Sequence, residues 1–349
     1  MRGGLDQVRL SIVIANYNGM GTLPGMLASL KAYPYPLEEI IVVDDGSSDD
    51  SVDWLRAEHP DVRLVAFKAN TGNLAEVRNA GLQEARGTHA FLTDNDIEFL
   101  PDCLHRLLEV IVADERVFCV TPRLVYYDRP DVLFQDGNGM HFLALGTGNF
   151  RGVKVADAGV PAPFPTCGGG MMLFDLSRAR QIGGFDPGYM HAWADDGEYQ
   201  LRGTLYGFLC LHVPAAAAMH HAKDHGAGRA LGQIHNRFRV LLTFYRARTL
   251  LVLLPSLLLF ELALIAGSLA HGFGGAYFAA VQRTWRERHE IWSMRREMQQ
   301  RRRVSDAEIL RGGPFEFPGA VRPGRAVRAA TYVMQKLFDA NWLVARWVQ

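Results

Sequence analysis

Three acidic sites in this chain could do chemistry on an anionic substrate. Asp44 and Asp45 follow the apolar run EIIVV, and Asp94-Asn95-Asp96 follows AFLT. Asp195 and Asp196 sit in WADDGEYQLR. Carboxylates held close together suit a hard divalent cation such as Mg²⁺ or Mn²⁺, which prefers oxygen ligands and keeps positions open for phosphate oxygens. A carboxylate also serves as a general base toward a hydroxyl. His220 and His221 end another apolar run. Each site alone has a plainer explanation. Asp-Asp-Gly-Ser is a turn and helix cap, Asp-x-Asp at a strand end is a solvated loop, and acids at a helix start favour the helix dipole. The two histidines could be surface imidazoles. Taken together, the sites describe a pocket for a cation and a nucleotide.

Such a pocket needs a frame, and the first 120 residues read as one. Short apolar runs at Leu10–Ala15, Glu39–Val43, Val62–Phe67 and Ala90–Thr93 predict strands. Helical spacing separates them at Leu23–Ala32, Ser51–His59 and Asn73–Ala85. That alternation predicts an α/β fold with a mostly parallel sheet and helices on both faces. Ligands bind at the carboxyl ends of such strands, where Asn16, Asn18, Asp44, Asp45, Asp94 and Asp96 fall. A helix is predicted over Asp102–Ala113. The Gly-, Pro- and aromatic-rich stretch 122–165 reads as irregular strands and loops facing substrate. Met171–Phe174 and Cys210–Met219 read as strands, and Asp195–Gly207 as a helix.

Composition narrows the class. Of 349 residues, 48% are hydrophobic and 21% charged, which excludes a disordered chain and is ample for a large core. Four scattered cysteines without a CxxC pair argue against a disulfide scaffold or zinc ribbon and fit a reducing compartment. The N-terminus enters a strand with no cleavage pattern, so no signal peptide is expected. The net charge of zero hides a split. Residues 1–220 carry 17 Lys/Arg against 28 Asp/Glu, a net of −11; residues 221–349 carry 20 against 9, a net of +11. The expected division is a catalytic domain over 1–235 and a basic, apolar helical region over 236–349.

Four ordered segments resemble one family. SIVIANYNG, EIIVVDDGSSDDS, NTGNLAEVRNAGLQEARGTHAFLTDNDIEF and CGGGMMLFDLSRARQIGGFDPGYMHAWADDGEYQLR are similar to the motifs of family 2 glycosyltransferases of rhamnosyltransferase-like type. The resemblance covers Leu10 to about His221. It implies the GT-A fold, a nucleotide-diphosphate sugar as donor and a Mg²⁺ or Mn²⁺ ion. Carried over by position, it implies that Ala15, Tyr17, Asn18, Asp44 and Asp45 face the nucleoside. Arg78 faces the phosphates, and Asp94, Asn95 and Asp96 form the DxD segment. Asp94 and Asp96 would hold the cation with His220. Asp196 aligns with the base and Asp195 is the runner-up, because the usual Glu-Asp-x-Asp reads Asp195-Asp196-Gly197-Glu198 here. Trp193 could floor an acceptor sugar or be a plain buried aromatic. The family implies inversion by one displacement, assisted by electrostatic stabilisation of the leaving diphosphate.

Thr249–Ala270 is an apolar run long enough to span ~30 Å of hydrocarbon. Arginines flank it on both sides, Pro255 and Glu261 interrupt it, and a single span would violate the positive-inside tendency. Helices lying in the cytoplasmic leaflet, against anionic lipid, are the preferred reading over a true span or a homo-oligomer interface. Nucleic acid is not an expected partner, because no recognised nucleic-acid motif accompanies the basic residues. The resulting expectation is an inverting glycosyltransferase on the cytoplasmic side of the membrane, acting on a lipid-linked saccharide or other envelope glycan precursor. A processive polysaccharide synthase is less favoured, because no Gln-x-x-Arg-Trp motif occurs. An inactive nucleotide-sugar-binding scaffold is disfavoured by the intact acidic sites.

Overall fold

A computed structural model describes residues 4–33, 36–148, 150–159, 162–222, 229–315 and 325–348. The first strands follow the apolar runs: β1 (Leu10–Asn16), β2 (Glu39–Asp44), β3 (Arg63–Ala66) and β4 (His89–Asp94). Helices α1 (Leu23–Lys31), α2 (Ser51–Glu58) and α3 (Leu74–Glu84) connect them. Then come β5 (Ile97–Phe99), α4 (Cys103–Ile111), β6 (Val117–Tyr126), β7 (Leu133–Gln135), β8 (Gly139–His141), β9 (Leu145–Thr147) and β10 (Phe164–Pro165). The acceptor-side block forms β11 (Met172–Asp175), α5 (Leu176–Ile182), α6 (Gly197–Leu205) and β12 (Leu209–His220).

The main sheet runs β10-β12-β6-β11-β4-β1-β2-β3, with β5 on β12 and β7 on β6. β1 is parallel to β2 and β4, whereas β11 inserts antiparallel between β4 and β6. The period-2 alternation of a strand explains how both faces are covered. Ile12, Ile14, Ile40 and Val42 enter one core, while Val13, Ala15, Ile41 and Val43 enter the other. The sheet is thus mixed beyond its first half.

The strand β6 extends through Pro122, in the stretch read from sequence as irregular. A proline removes a ladder donor and ordinarily argues against a central strand. Here β12 breaks register opposite it, pairing Val213 with Pro122 and then Ala217 with Arg123, so a bulge accommodates the ring.

The C-terminal third is helical: α7 (Ala230–Phe244), α8 (Ala247–Ala270), α9 (Gly274–Arg286), α10 (Arg288–Arg301), α11 (Asp306–Ile309), the short strand β13 (Leu310–Arg311) and α12 (Arg325–Val348). The expected division at 235/236 falls inside α7, and it separates no two cores. Tyr245, Leu253, Phe260 and Phe338 share one cluster with Val13 and Ile41. Arg237 and Arg239, counted from sequence as basic flank, are buried. Arg237 pairs with Glu261 at 2.6 Å, and Arg239 pairs with Asp186 at 2.6 Å and Glu287 at 2.8 Å. Net charge per segment could not reveal this, because the partners are distant in sequence. Removing one member of a buried pair leaves an uncompensated charge, so this region is fastened to the catalytic half.

Helix α8 lies along that body. Its Leu253, Phe260 and Leu264 are buried, and Glu261 accepts from Tyr277 Oη at 2.6 Å. Asn341 of α12 donates to the Val252 carbonyl and accepts from Ser256 Oγ. The opposite side of α8 exposes Leu251, Leu254, Leu258 and Leu262. By length and composition α8 is apolar enough to cross a membrane, and about a fifth of its most apolar stretch is buried (22%).

Candidate active site

The parallel register brings the first acidic sites to one edge. Asn16 pairs with Asp44, and Ala15 with both Val43 and Asp94. Asp44 is buried and fully engaged: it accepts from Asn16 Nδ2 at 2.7 Å, Ser47 Oγ at 2.5 Å and Ser47 N at 2.9 Å. It therefore shapes the loop. Asp45 accepts from the Thr71 amide and hydroxyl, both at 2.9 Å and both through Oδ1. Gly46 between these turns has φ +70°, and a Cβ there would lie 2.4 Å from the Ala69 carbonyl carbon, so only glycine fits. Asn18, itself at φ +48°, accepts from the Ser48 amide. Asn95 donates to Asn16 Oδ1 at 2.7 Å, which uses its amide within the loop cluster. Tyr17 is about half exposed at the same edge, and Ala15 is buried behind it.

The antiparallel pairing of β5 with β12 sets His220 opposite Ile97, and so beside Asp96. His220 Nε2 stands 3.4 Å from Asp96 Oδ2. Asp96 Oδ1 and His220 Nδ1 are buried with no hydrogen-bond partner. Buried polar atoms are ordinarily paired, so two orphans on adjacent cation-ligating side chains fit a divalent ion. Among the described residues no group of three His, Cys, Asp or Glu side chains is assembled for a metal. A protein site of two or three ligands plus substrate phosphates is nonetheless how Mg²⁺ is usually held. His221 turns the other way: it binds Glu98 at 2.9 Å and stacks on Tyr127 at 3.7 Å.

Arg78 on α3 is buried, yet its Nε and Nη1 have no hydrogen-bond partner. Its nearest carboxylates are Asp94 at 3.8 Å and Asp195 at 3.7 Å, both beyond hydrogen-bonding distance. The neighbouring Asn79 makes two hydrogen bonds with Phe185, tying α3 to the Gly-Gly-Phe-Asp turn.

Asp196 caps α6. It accepts from Gly197 N at 2.6 Å and, across the cleft, from Gly169 N at 3.0 Å. Burial pushes its carboxyl above the usual range, and the Asp195 charge adds to that. Burial also raises Asp94, which Arg78 opposes. Asp94 keeps 40% of its side-chain surface open. Gly170 stands at the centre. A Cβ there would touch Asp94 Oδ2 at 3.4 Å, Arg78 Nη2 at 3.7 Å and Asp196 Oδ2 at 3.9 Å. The three charged groups expected from the sequence thus converge around one bare backbone position.

Two further side chains of the acidic block are taken up by packing. Glu198 is buried against Arg202 at 2.9 Å, with burial raising its carboxyl to about 7, so it braces α6. Trp193 packs on Gly146 of β9, where a Cβ would come within 2.7 Å of its indole nitrogen.

Sequence reading missed His191, Arg229 and Asn236. His191 Nδ1 lies 3.1 Å from Asp195 Oδ2, and its Nε2 lies 3.0 Å from Arg229 Nη2. An arginine only donates, so Nε2 accepts and the proton sits on Nδ1, facing the carboxylate. Asn236 of α7 accepts from Met190 N and donates to the Met190 and Trp193 carbonyls. Nothing in local spacing marks these contacts, because each crosses a loop or a fold boundary. Asn236→Ala should cost about 1–3 kcal/mol by leaving buried loop groups unpaired. Thermal unfolding reads that loss. A lowered kcat with unchanged donor affinity would show that α7 holds the acidic loop.

A mixed sheet of this order with its acidic edge defines a GT-A-type fold. Residues 11–177 match the model of glycosyl transferase family 2. The match covers just under half of the chain. The chain is 28% identical over 227 residues to YwdF, an uncharacterised glycosyltransferase of Bacillus subtilis, covering 63% of this chain and 76% of that one. It is 32% identical over 136 residues to the succinoglycan biosynthesis protein ExoO of Rhizobium meliloti, covering 39% and 37%. It is 35% identical over 109 residues to an undecaprenyl-phosphate 4-deoxy-4-formamido-L-arabinose transferase of Pseudomonas syringae, covering 29% and 32%. Apart from YwdF, the match spans about a third of these relatives' length. Of solved structures, GalNAc-T7 with UDP, GalNAc and Mn²⁺ gives a TM-score of 0.57 at 19% identity, covering 70% of this chain and 49% of that one. The mannosyltransferase PcManGT of Pyrobaculum calidifontis, with GDP-Man and Mn²⁺, gives 0.50 at 18%, covering 98% and 88%. Both likenesses are of fold.

Proposed function

We propose that this chain is an inverting, divalent-metal-dependent glycosyltransferase that moves a sugar from a nucleotide diphosphate to a hydroxyl of a lipid-linked or other envelope glycan acceptor. The observation that carries this is the convergence of Asp94, Arg78 and Asp196 around Gly170. Asp96 and His220, with Asp94, would hold the cation, which supplies charge neutralisation for the diphosphate. Both structures of like fold hold Mn²⁺ with a nucleotide, which supports that choice. Asp45, Tyr17 and Asn18 border the place for the nucleoside. Arg78 offers two unpartnered N–H positions to the departing phosphates, where negative charge develops. Asp196 takes the proton of the acceptor hydroxyl as it attacks the opposite face of the sugar. Asp195 stays with Arg78 and His191 and holds the loop.

The acceptor class rests on two supports. Relatives include a succinoglycan biosynthesis protein and an undecaprenyl-phosphate sugar transferase. The exposed leucines of α8, fastened along the body by Glu261 and Asn341, suit shallow insertion from the cytoplasmic side.

A screen of nucleotide sugars by thermal shift, with and without Mn²⁺, tests the donor reading, since a ligand that binds only the native state raises the melting point. No shift with any nucleotide would overturn it. The pH profile tests the base. Asp196 must be ionised to accept a proton, and burial raises its pKa. Transfer is therefore lost as pH falls through a value above the ordinary carboxylate range of about 4. An acid limb that stays in place in Asp196→Asn would assign it to another group.

A further inference from the structure

The C-terminal end of α12 and the segment around β13 border an open cavity of about 420 Å³, remote in sequence from the acidic sites. Leu310, Arg311, Gly312, Trp342, Arg346 and Trp347 line it. One wall is fixed. Trp342 stacks on Phe142 at 5.1 Å with rings nearly parallel, and it lies so close over Gly312 that a Cβ there would meet it at 2.4 Å. The other wall is open, with Trp347 81% exposed.

The charge of the cavity is one-sided. Among the described residues neither Arg311 nor Arg346 has a carboxylate within 4 Å. Arg311 donates to the backbone carbonyls of Glu308 and Leu310, and Arg346 lies over the Trp347 ring. The acids nearby are already engaged: Asp306 with Arg302, and Glu308 with Ser305. Two arginines between two tryptophans suit an anion attached to an apolar body.

The setting says where that body lies. Asn341 binds α8 at Val252 and Ser256, so the last turns of α12 lie beside the first turns of α8. Leu343, Val344 and Trp347 of α12 and Leu251 and Leu254 of α8 are all exposed. The cavity thus lies on the helix that packs along α8, whose outer side is apolar. β13 also pairs with β8, whose partner β9 carries the Gly146 that packs on Trp193, three residues before Asp196.

We propose that this cavity is a binding site for the phosphate head of a lipid seated in the membrane. The proposal rests on the membrane reading above. Phosphate esters offer the bidentate oxygens that guanidinium groups match, and tryptophan is at home at the depth of lipid headgroups.

Co-sedimentation of the full chain with vesicles tests it. The vesicles are phosphatidylcholine alone, phosphatidylcholine with phosphatidylglycerol, and phosphatidylcholine with a polyprenyl monophosphate. Arg346→Gln, on an exposed last turn, should fold normally and weaken binding to one of the two anionic vesicles about fivefold, with a further fivefold loss in Arg311→Gln/Arg346→Gln. The vesicle affected tells a phosphodiester head from a polyprenyl phosphate. Arg286→Gln, an equal charge change on exposed α9, should have the smaller effect. If Arg286→Gln weakens binding as much as Arg346→Gln, or if wild type and both cavity variants bind both anionic vesicles equally, the site is overturned while membrane attachment stands. If wild type binds no vesicle, both readings fall. Release of nucleotide from the donor should be unchanged in Arg346→Gln.

Discussion

Asp196→Asn should lower the rate of sugar transfer by ~10²–10⁴ while leaving nucleotide-sugar binding nearly unchanged. The amide is isosteric and still accepts one of the two backbone hydrogen bonds, from Gly169 or Gly197, that the carboxylate accepts. What it loses is the ability to take a proton. On the proposed reading donor affinity resides elsewhere, in Arg78, the loops around Asp45 and the DxD strand, so a titration with nucleotide sugar should report a near-native value. Asp195→Asn is the discriminating partner. Asp195 lies between Arg78 and His191, so its loss should disturb the loop and donor phosphates more than proton transfer. If Asp195→Asn is crippled and Asp196→Asn is not, the base has been misplaced by one residue. If neither variant loses activity, the carboxylate reading of the site fails.

The acidic edge of the sheet was legible in the sequence because its geometry is local. A short parallel strand exposes its last residue at the sheet edge, so an acid after an apolar run names its own place. Asp44, Asp45, Asp94 and Asp96 all followed that rule, although Asp44 proved to be a brace for its own loop. The preference for His220 over His221 came from the resemblance and not from spacing, since the approach of His220 to Asp96 depends on the antiparallel register of β12 against β5. The buried arginines of α7 were misleading for the same reason. Arg237 and Arg239 read as part of a basic flank, yet Glu261, Asp186 and Glu287 neutralise them across the fold. A cut at 235/236 would strip Asn236 and Arg239 from the segment that leads to Asp195 and Asp196, so the helical region is joined to the half that carries the acidic sites.

Asp96→Ala should abolish metal-dependent donor binding and depress turnover by ~10³ or more, the equivalent of about 4 kcal/mol of charge stabilisation. The argument starts from two buried atoms without partners, Asp96 Oδ1 and His220 Nδ1, on side chains 3.4 Å apart. A neutral imidazole and a carboxylate make a sound pair of ligands. Without an ion, the same arrangement leaves unpaired polar atoms out of reach of water. The alanine variant should fold, since Asp96 sits at a strand end and its backbone carbonyl still accepts from His221 N. In wild type, saturating Mn²⁺ and nucleotide at a hundred times the dissociation constant should add about 2.7 kcal/mol of stability, seen as a raised melting point. In Asp96→Ala the increment due to the metal should disappear, and His220→Ala should reduce it. Asp94→Asn offers a further separation. Its carboxylate is the one nearest Arg78, so its loss should weaken nucleotide binding even where metal is absent. Full transfer activity in EDTA, by wild type or by Asp96→Ala, would remove the metal from the mechanism and leave the Asp96–His220 contact as a structural ion pair.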